Sequence, residues 1–135
     1  MPITDAMRAR HVVRQYLSTP LPDDVVAALR SRIEDNNRAH GTDIRLVTGD
    51  ARVFGPLWGT VRARSVRNCL VMSGPDAPDL DERLGYGGAD LMLAAQDLGL
   101  NTWWIGGTFS KRAAARVSGA TGRIVAVVAL GYGAT

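Results

Sequence analysis

The strongest pattern of apolar positions in the chain runs from Leu84 to Leu98. Apolar residues cover most of a helical circumference there and leave only a thin polar stripe. A helix that is apolar almost all round is typical of a buried position. Gly99 follows at once and suits a helix end, because glycine readily adopts the left-handed conformation found there. The pattern therefore predicts a buried helix over residues 84–98.

A second helical pattern begins after Pro22. Asp23 and Asp24 stand at its start, where the positive end of the helix dipole favours carboxylates. Its apolar face is formed by Val25, Val26, Leu29 and Ile33. The pattern predicts an amphipathic surface helix that ends near His40-Gly41. Shorter helices are predicted over residues 2–10 and 110–117.

Four short segments have the pattern of strands. The most apolar of them, residues 123–130, is expected to be buried on both faces. The other three are residues 43–47, 68–73 and 102–105. Residues 51–67 contain glycines, a proline and four arginines, so a loop with a helical turn is expected there. Together the elements predict an α+β fold, with a mixed sheet of about four strands flanked by helices around the buried helix.

The composition is that of a soluble globular domain and excludes several classes of protein. The chain has 135 residues, of which 46% are hydrophobic and 21% charged; these proportions argue against disorder. Cys69 is the only cysteine, and His11 and His40 are far apart, so neither a disulfide framework nor a metal site is expected. No signal peptide is recognisable, and the longest apolar run, Ile124–Leu130, is too short to span a membrane. We therefore expect a cytoplasmic protein without a membrane partner.

The charge pattern adds one further indication. The net charge is +3, and all of the sixteen basic residues except Lys111 are arginine. Guanidinium groups pair bidentately with phosphate oxygens, so this bias could favour a ligand that carries phosphate. The excess charge is too small to indicate a nucleic-acid partner by itself. An arginine-rich nucleic-acid module would need its basic residues on one face, together with exposed aromatic rings.

Residues 101–109 read Asn-Thr-Trp-Trp-Ile-Gly-Gly-Thr-Phe and place bulky side chains next to bare backbone. Trp103 and Trp104 alternate across the predicted strand, so one of them is expected to pack in the core. Gly106 and Gly107 then offer no side chain. Taken alone, such a glycine pair is most simply a turn at the end of a strand. The other interpretation is that a flat ligand lies against this backbone, where a Cβ atom would collide with it.

Three segments, found in this order, each match a motif of one known family. Residues 10–16 read Arg-His-Val-Val-Arg-Gln-Tyr, residues 85–109 read Gly-Tyr-Gly-Gly-Ala-Asp-Leu-Met-Leu-Ala-Ala-Gln-Asp-Leu-Gly-Leu-Asn-Thr-Trp-Trp-Ile-Gly-Gly-Thr-Phe, and residues 127–132 read Val-Val-Ala-Leu-Gly-Tyr. The first is similar to the Arg-Arg-Ser-Val-Arg-x-Phe/Tyr signature of the nitroreductase family of FMN-dependent oxidoreductases. The second resembles the buried helix of that family and the strand end after it that contacts the flavin. The third resembles its closing strand.

The resemblance implies an intertwined homodimer that binds FMN between its subunits. It implies NAD(P)H as the reductant and nitro compounds or quinones as the oxidised substrates. The reductant and the oxidised substrate would bind one after the other in the same apolar pocket, which gives a ping-pong mechanism. The flavin would carry the chemistry, so no side chain is assigned a catalytic role. Arg10 and Arg14 would lie at the FMN phosphate or the polar edge of the ring. His11 and Val12 take the places of a family arginine and serine. The flavin edge near N5 and O4 would lie along the backbone of Ile105, Gly106, Gly107 and Thr108.

Relatives with this order of motifs continue past the Leu-Gly-Tyr strand, and nothing in this chain matches their continuation. We therefore expect residues 1–135 to form a single nitroreductase-like domain that lacks the C-terminal segment of the family. Val12 offers only backbone where the family has a serine, so it stays open whether FMN is held weakly or is lost. The alternative functions are a flavin-binding or flavin-sequestering protein without turnover, and an inactive dimerisation remnant.

Overall fold

The computed structural model describes residue 17 and residues 19–50, 67–107 and 109–133. The elements in chain order are helix α1 (Asp23–His40), strand β1 (Arg45–Val47), strand β2 (Asn68–Gly74), helix α2 (Leu80–Asp97), strand β3 (Asn101–Ile105), helix α3 (Lys111–Ser118) and strand β4 (Arg123–Gly131). Each helix and strand that the sequence predicts within these residues is present, with ends that differ by a few residues. The helix predicted over residues 2–10 and nearly all of the loop predicted over residues 51–67 lie outside the described residues.

The four strands form one sheet in the order β1–β2–β4–β3, and all three pairings are antiparallel. The α+β fold class is confirmed. The expected mixture of parallel and antiparallel pairings is not found within the described strands. The reason is that β2 and β3, which run in the same direction, are separated by β4, and β4 runs antiparallel to both.

Side chains from the two central strands alternate between two apolar layers. The first layer lies on the side of α1 and α2, and among its strand residues are Leu70, Met72, Ala126 and Val128. The second lies on the side of α3, and among its members are Cys69, Val71, Ile105, Val127 and Ala129. Both faces of β2 and β4 are therefore buried, as expected from their nearly continuous apolar sequences.

Helix α1 ends where the sequence predicts, at His40. Gly41 follows in the left-handed conformation, with φ of +63°, and its N–H donates to the carbonyl of Asn37. The exposed carbonyl groups at this end are satisfied by α2, because Nη1 of Arg83 donates to the carbonyl oxygens of His40 (3.0 Å) and Gly41 (3.1 Å). A cation at the negative end of the helix dipole is stabilising.

Strand β1 begins two residues later than predicted, at Arg45. The cause is a contact with α1: the Asn37 side chain accepts from the N–H of Ile44 (2.8 Å) and donates to its carbonyl (3.0 Å). The backbone groups of Ile44 are thus bonded to a helix side chain instead of a neighbouring strand.

Helix α2 begins at Leu80, four residues earlier than predicted, and turns its buried face to the sheet and α1. The buried positions are Leu80, Leu84, Gly87, Gly88, Leu91, Met92 and Ala95. On its outward side Gly85 and Ala89 are exposed, and Tyr86 is 64% exposed. The helix is thus central to the core of the single chain while one apolar side of it stays uncovered.

A polar cluster links α1 to α2 at the edge of their contact. The Asp90 carboxylate accepts from Nε and Nη2 of Arg32, both at 2.7 Å, and from Nδ2 of Asn36 at 2.7 Å. The hydrogen bond from Arg32 is the main cause that lowers the pKa of Asp90, and partial burial opposes it. Asn36 itself is buried. A bidentate, charge-assisted contact of this kind fixes the geometry of the two helices.

Candidate functional site

The candidate site lies at the end of β3, an edge strand that pairs with β4 through Ile105↔Val127. Ile105 is only 3% exposed and belongs to the apolar layer below α3. Gly106 and Gly107 follow directly and are exposed. The buried isoleucine therefore anchors a turn whose next two residues present bare backbone at the surface.

The glycines at 106 and 107 are not required by the backbone conformation of the turn. Neither is among the glycines of positive φ, which are Gly41, Gly49, Gly99, Gly119 and Gly131. A Cβ atom added at Gly107 would have no atom of the described chain within 4 Å, and one added at Gly106 would meet only Nε1 of Trp104, at 3.9 Å. The described fold therefore has both the room and the conformation for side chains at these two positions.

The two tryptophans before this turn lie on opposite faces of β3. Trp103 packs against the apolar layer of α3, so the expectation that one of the pair packs in the core holds. Trp104 is 36% exposed and lies on the side of α2. The sequence motifs assign no functional role to Trp104, although the alternation of side chains along the strand, together with the two glycines that follow, would place it beside the turn.

Helix α3 begins just after the turn and has a strongly positive outer face. Ser110 caps it by accepting from the N–H of Ala113 at 3.1 Å. Lys111, Arg112 and Arg116 are exposed. Arg112 and Arg116 fall on the side opposite the buried Ala114, whereas Lys111 lies one turn before Ala114 on the same side. The helix contains no acidic residue. The surface next to Gly107 is thus electrostatically suited to an anionic group, since cations and a helix N-terminus both favour negative charge.

The sequence also assigns Arg10, His11, Val12, Arg14 and Thr108 to the site. These five lie outside the described residues, so their placement relative to Gly106 and Gly107 stays a prediction. Of the eight predicted cofactor-binding residues, the structure therefore brings together Ile105, Gly106 and Gly107.

The lone cysteine and the metal-binding residue types contribute nothing to this site. Cys69 is fully buried, and this burial, with a smaller contribution from Asp50, raises the pKa of its thiol to about 12. It therefore stays protonated and is a poor nucleophile. Within the described ranges, no three His, Cys, Asp or Glu side chains are grouped so that they could hold a metal ion.

A cavity of about 610 Å³ lies elsewhere, between the second half of α1, strand β1 and Ser118. Several polar groups of its lining are already engaged within the chain. Arg45 binds the Asp43 carboxylate (3.0 and 3.1 Å) and donates to the Ser118 carbonyl (3.1 Å), and Asn37 bonds Ile44. This cavity does not include the Gly106–Gly107 turn. None of the helices that the structure describes is both long and apolar enough to cross a membrane.

Comparison with known proteins assigns the chain to a family. A family model described as "Putative TM nitroreductase" matches residues 2–135. Because this match covers nearly the whole chain, the chain belongs to the nitroreductase family, as its sequence motifs indicate. No protein of curated function matches it significantly.

Solved structures share the fold at low sequence identity. An FMN-dependent nitroreductase from Clostridium difficile R20291 matches with a TM-score of 0.73 at 11% identity, over 96% of this chain and 87% of that one. A protein from Desulfovibrio desulfuricans, described as a "putative nitroreductase in complex with fmn", matches with a TM-score of 0.73 at 19% identity, over 100% and 88%. A nitroreductase family protein from Streptococcus pneumoniae TIGR4 gives 0.70 at 12% identity, over 99% and 92%. At such identities these matches establish a shared fold.

Proposed function

We propose that this chain is a cytoplasmic FMN-dependent oxidoreductase that reduces nitro compounds or quinones with NAD(P)H by a ping-pong mechanism. The observation that carries the proposal is the exposed backbone of Gly106 and Gly107. Within the described part of the chain nothing requires glycine at these positions, so we explain the lack of side chains by a ligand that lies there. Family membership and the FMN named for two structural neighbours support the choice of flavin as that ligand.

The residues at the end of β3 fit a flat ring system. Among the described residues, a Cβ added at Gly107 would meet no atom within 4 Å and one added at Gly106 only Nε1 of Trp104, so a planar heterocycle could lie there instead. Ile105 would hold the strand end in place from the core below. Arg10, His11, Val12 and Arg14 are proposed to hold the phosphate or the polar edge of the ring. Thr108 is proposed to extend the wall formed by the two glycines.

Within this site the backbone would contribute through its N–H groups. When bound, FMN supplies the two-electron chemistry that no side chain of the protein can perform. Amide donors at Gly106 and Gly107 would stabilise negative charge that develops on the adjacent ring during reduction. The preceding residue Ile105 is held by the sheet and the core, which would limit the reorganisation that these donors need.

The outward side of α2 supports a homodimer as the working unit. Gly85, Tyr86 and Ala89 are exposed on a helix that otherwise packs in the core. A second subunit that covers this side would remove an exposed aromatic ring from water. We propose that the cofactor lies between two subunits related in this way.

The proposal is tested on purified protein. We expect bound or added FMN to give a yellow flavin spectrum, which NADH or NADPH bleaches without oxygen and which a nitroarene or quinone restores. A spectrum that neither reductant bleaches would contradict turnover and favour a flavin-sequestering protein. A colourless protein whose melting temperature does not rise with added FMN would refute a flavin function altogether.

A further inference from the structure

The side chain of Trp104 packs against a glycine of the neighbouring helix. Trp104 pairs with Val128 in the sheet, and its ring lies over Gly88 of α2. A Cβ atom at Gly88 would come within 2.8 Å of Cζ3 of the indole and within 3.0 Å of Cε of Met72. Only glycine therefore allows the ring to lie this close to the helix. A glycine inside a helix costs about 1 kcal/mol relative to alanine, so a close contact is its usual justification.

The indole N–H of Trp104 is directed toward the bare turn. Nε1 is the single atom of the described chain that lies near a Cβ built on Gly106, at 3.9 Å. This N–H makes no hydrogen bond to any residue that the structure describes, and Trp104 as a whole is 36% exposed. Tryptophan N–H groups can donate but not accept, so the only complement to this group is an acceptor.

We propose that Trp104 donates its indole N–H to the isoalloxazine ring that lies against Gly106 and Gly107, and that Gly88 fixes the indole for this purpose. This inference rests on the proposed flavin site and adds a side-chain donor to its backbone donors. The flavin ring carries carbonyl oxygens and ring nitrogens along its polar edge, and these are the acceptors that a neutral N–H complements. The proposed hydrogen bond is made to the isoalloxazine ring and does not involve the FMN phosphate.

That distinction sets the expected result for Trp104→Phe, which keeps an aromatic ring and removes the N–H. One neutral hydrogen bond is worth about 1 kcal/mol, so the dissociation constants of FMN and of riboflavin should both rise about fivefold. The factors should be equal, because riboflavin differs from FMN only in lacking the phosphate. Trp103→Phe is the matched control: it makes the same change one residue away on the opposite face of β3, and should leave both constants unchanged.

A second variant covers the case in which Trp104→Phe is poorly folded. Replacement of this indole by the isosteric benzothiophene keeps both fused rings and removes only the N–H. Flavin fluorescence titration of this protein should show the same equal loss for FMN and riboflavin, with an unchanged melting temperature of the flavin-free protein. Wild-type affinity for both flavins in either folded variant would overturn the role of Trp104 and leave the flavin site standing. A wild-type protein that binds neither flavin would overturn the proposed function together with this inference.

Discussion

Two alanine substitutions in the same helix should have different effects on stability, one stabilising and the other neutral or destabilising. Gly85 and Gly88 both lie inside α2, so replacing either glycine by alanine gains about 1 kcal/mol of helix propensity. At Gly85 the new Cβ has no atom of the described chain within 4 Å, so the gain should appear undiminished at protein concentrations at which the subunits of the proposed homodimer are separate. Gly85→Ala is therefore expected to raise the free energy of unfolding by about 1 kcal/mol.

At Gly88 the same methyl group is placed 2.8 Å from Cζ3 of Trp104 and 3.0 Å from Cε of Met72. The end of a methionine side chain can rotate away at little cost. The indole must move by roughly 0.7 Å or more to restore an ordinary carbon–carbon contact of about 3.5 Å or longer. Overpacking of this kind costs about 1–3 kcal/mol, which offsets or exceeds the gain in propensity. Gly88→Ala is thus expected to be neutral or destabilising by up to about 2 kcal/mol.

Urea and thermal unfolding followed by circular dichroism can measure both variants at one protein concentration. A difference of about 1–3 kcal/mol corresponds to melting temperatures that are several degrees apart in a domain of this size. Trp104→Phe, which replaces the indole by a smaller ring, should also reduce the cost of Gly88→Ala. If Gly88→Ala stabilises the protein as much as Gly85→Ala does, the Trp104 ring does not pack against Gly88, and the position proposed for its indole N–H is wrong.

Three further predictions concern other parts of the chain. Asp90→Asn should cost about 1–2 kcal/mol, because it removes the charge from the contacts with Arg32 and Asn36. The pKa of Asp90 is lower in the folded protein than in the unfolded chain, where an aspartate has a pKa of about 4. The stabilisation by Asp90 should therefore be complete above about pH 4 and be lost as the pH falls further. A difference in the free energy of unfolding between wild type and variant that is the same at pH 6 and at pH 3 would contradict this. The thiol of Cys69 should react with a thiol reagent only on unfolding, and rapid labelling of the native protein would mean that it is not buried as described. Arg10→Ala should weaken FMN binding more than riboflavin binding, and equal losses would place Arg10 at the ring and not at the phosphate.

The sequence predicts those parts of the fold that depend on local signals. The acidic pair at Asp23 and Asp24 and the left-handed glycine at Gly41 fix both ends of α1 within the sequence itself. Ser110 likewise marks the start of α3. Such signals act over one helical turn, which is why they can be recognised without knowledge of the tertiary structure.

The parts that the sequence does not predict depend on contacts between distant residues. The start of β1 depends on hydrogen bonds from Asn37 of α1 to Ile44, and the sheet order depends on the insertion of β4 between β2 and β3. At the site, the family motif points to Gly106 and Gly107 directly. The Trp104 ring packs against Gly88, which is a contact between a strand and a helix, and no local sequence pattern around either residue indicates it.

The most direct test of the account is the affinity of Gly107→Val for FMN. The described fold has no atom within 4 Å of a Cβ at this position and no positive φ to be strained, so the flavin-free variant should melt at the wild-type temperature. Its branched side chain would occupy the space assigned to the flavin ring. Titration with FMN, followed by flavin fluorescence and by melting temperature, should therefore give binding by the wild-type protein and none by the variant. A folded Gly107→Val protein that binds FMN with wild-type affinity would contradict the assignment of this backbone as the wall of a flavin site.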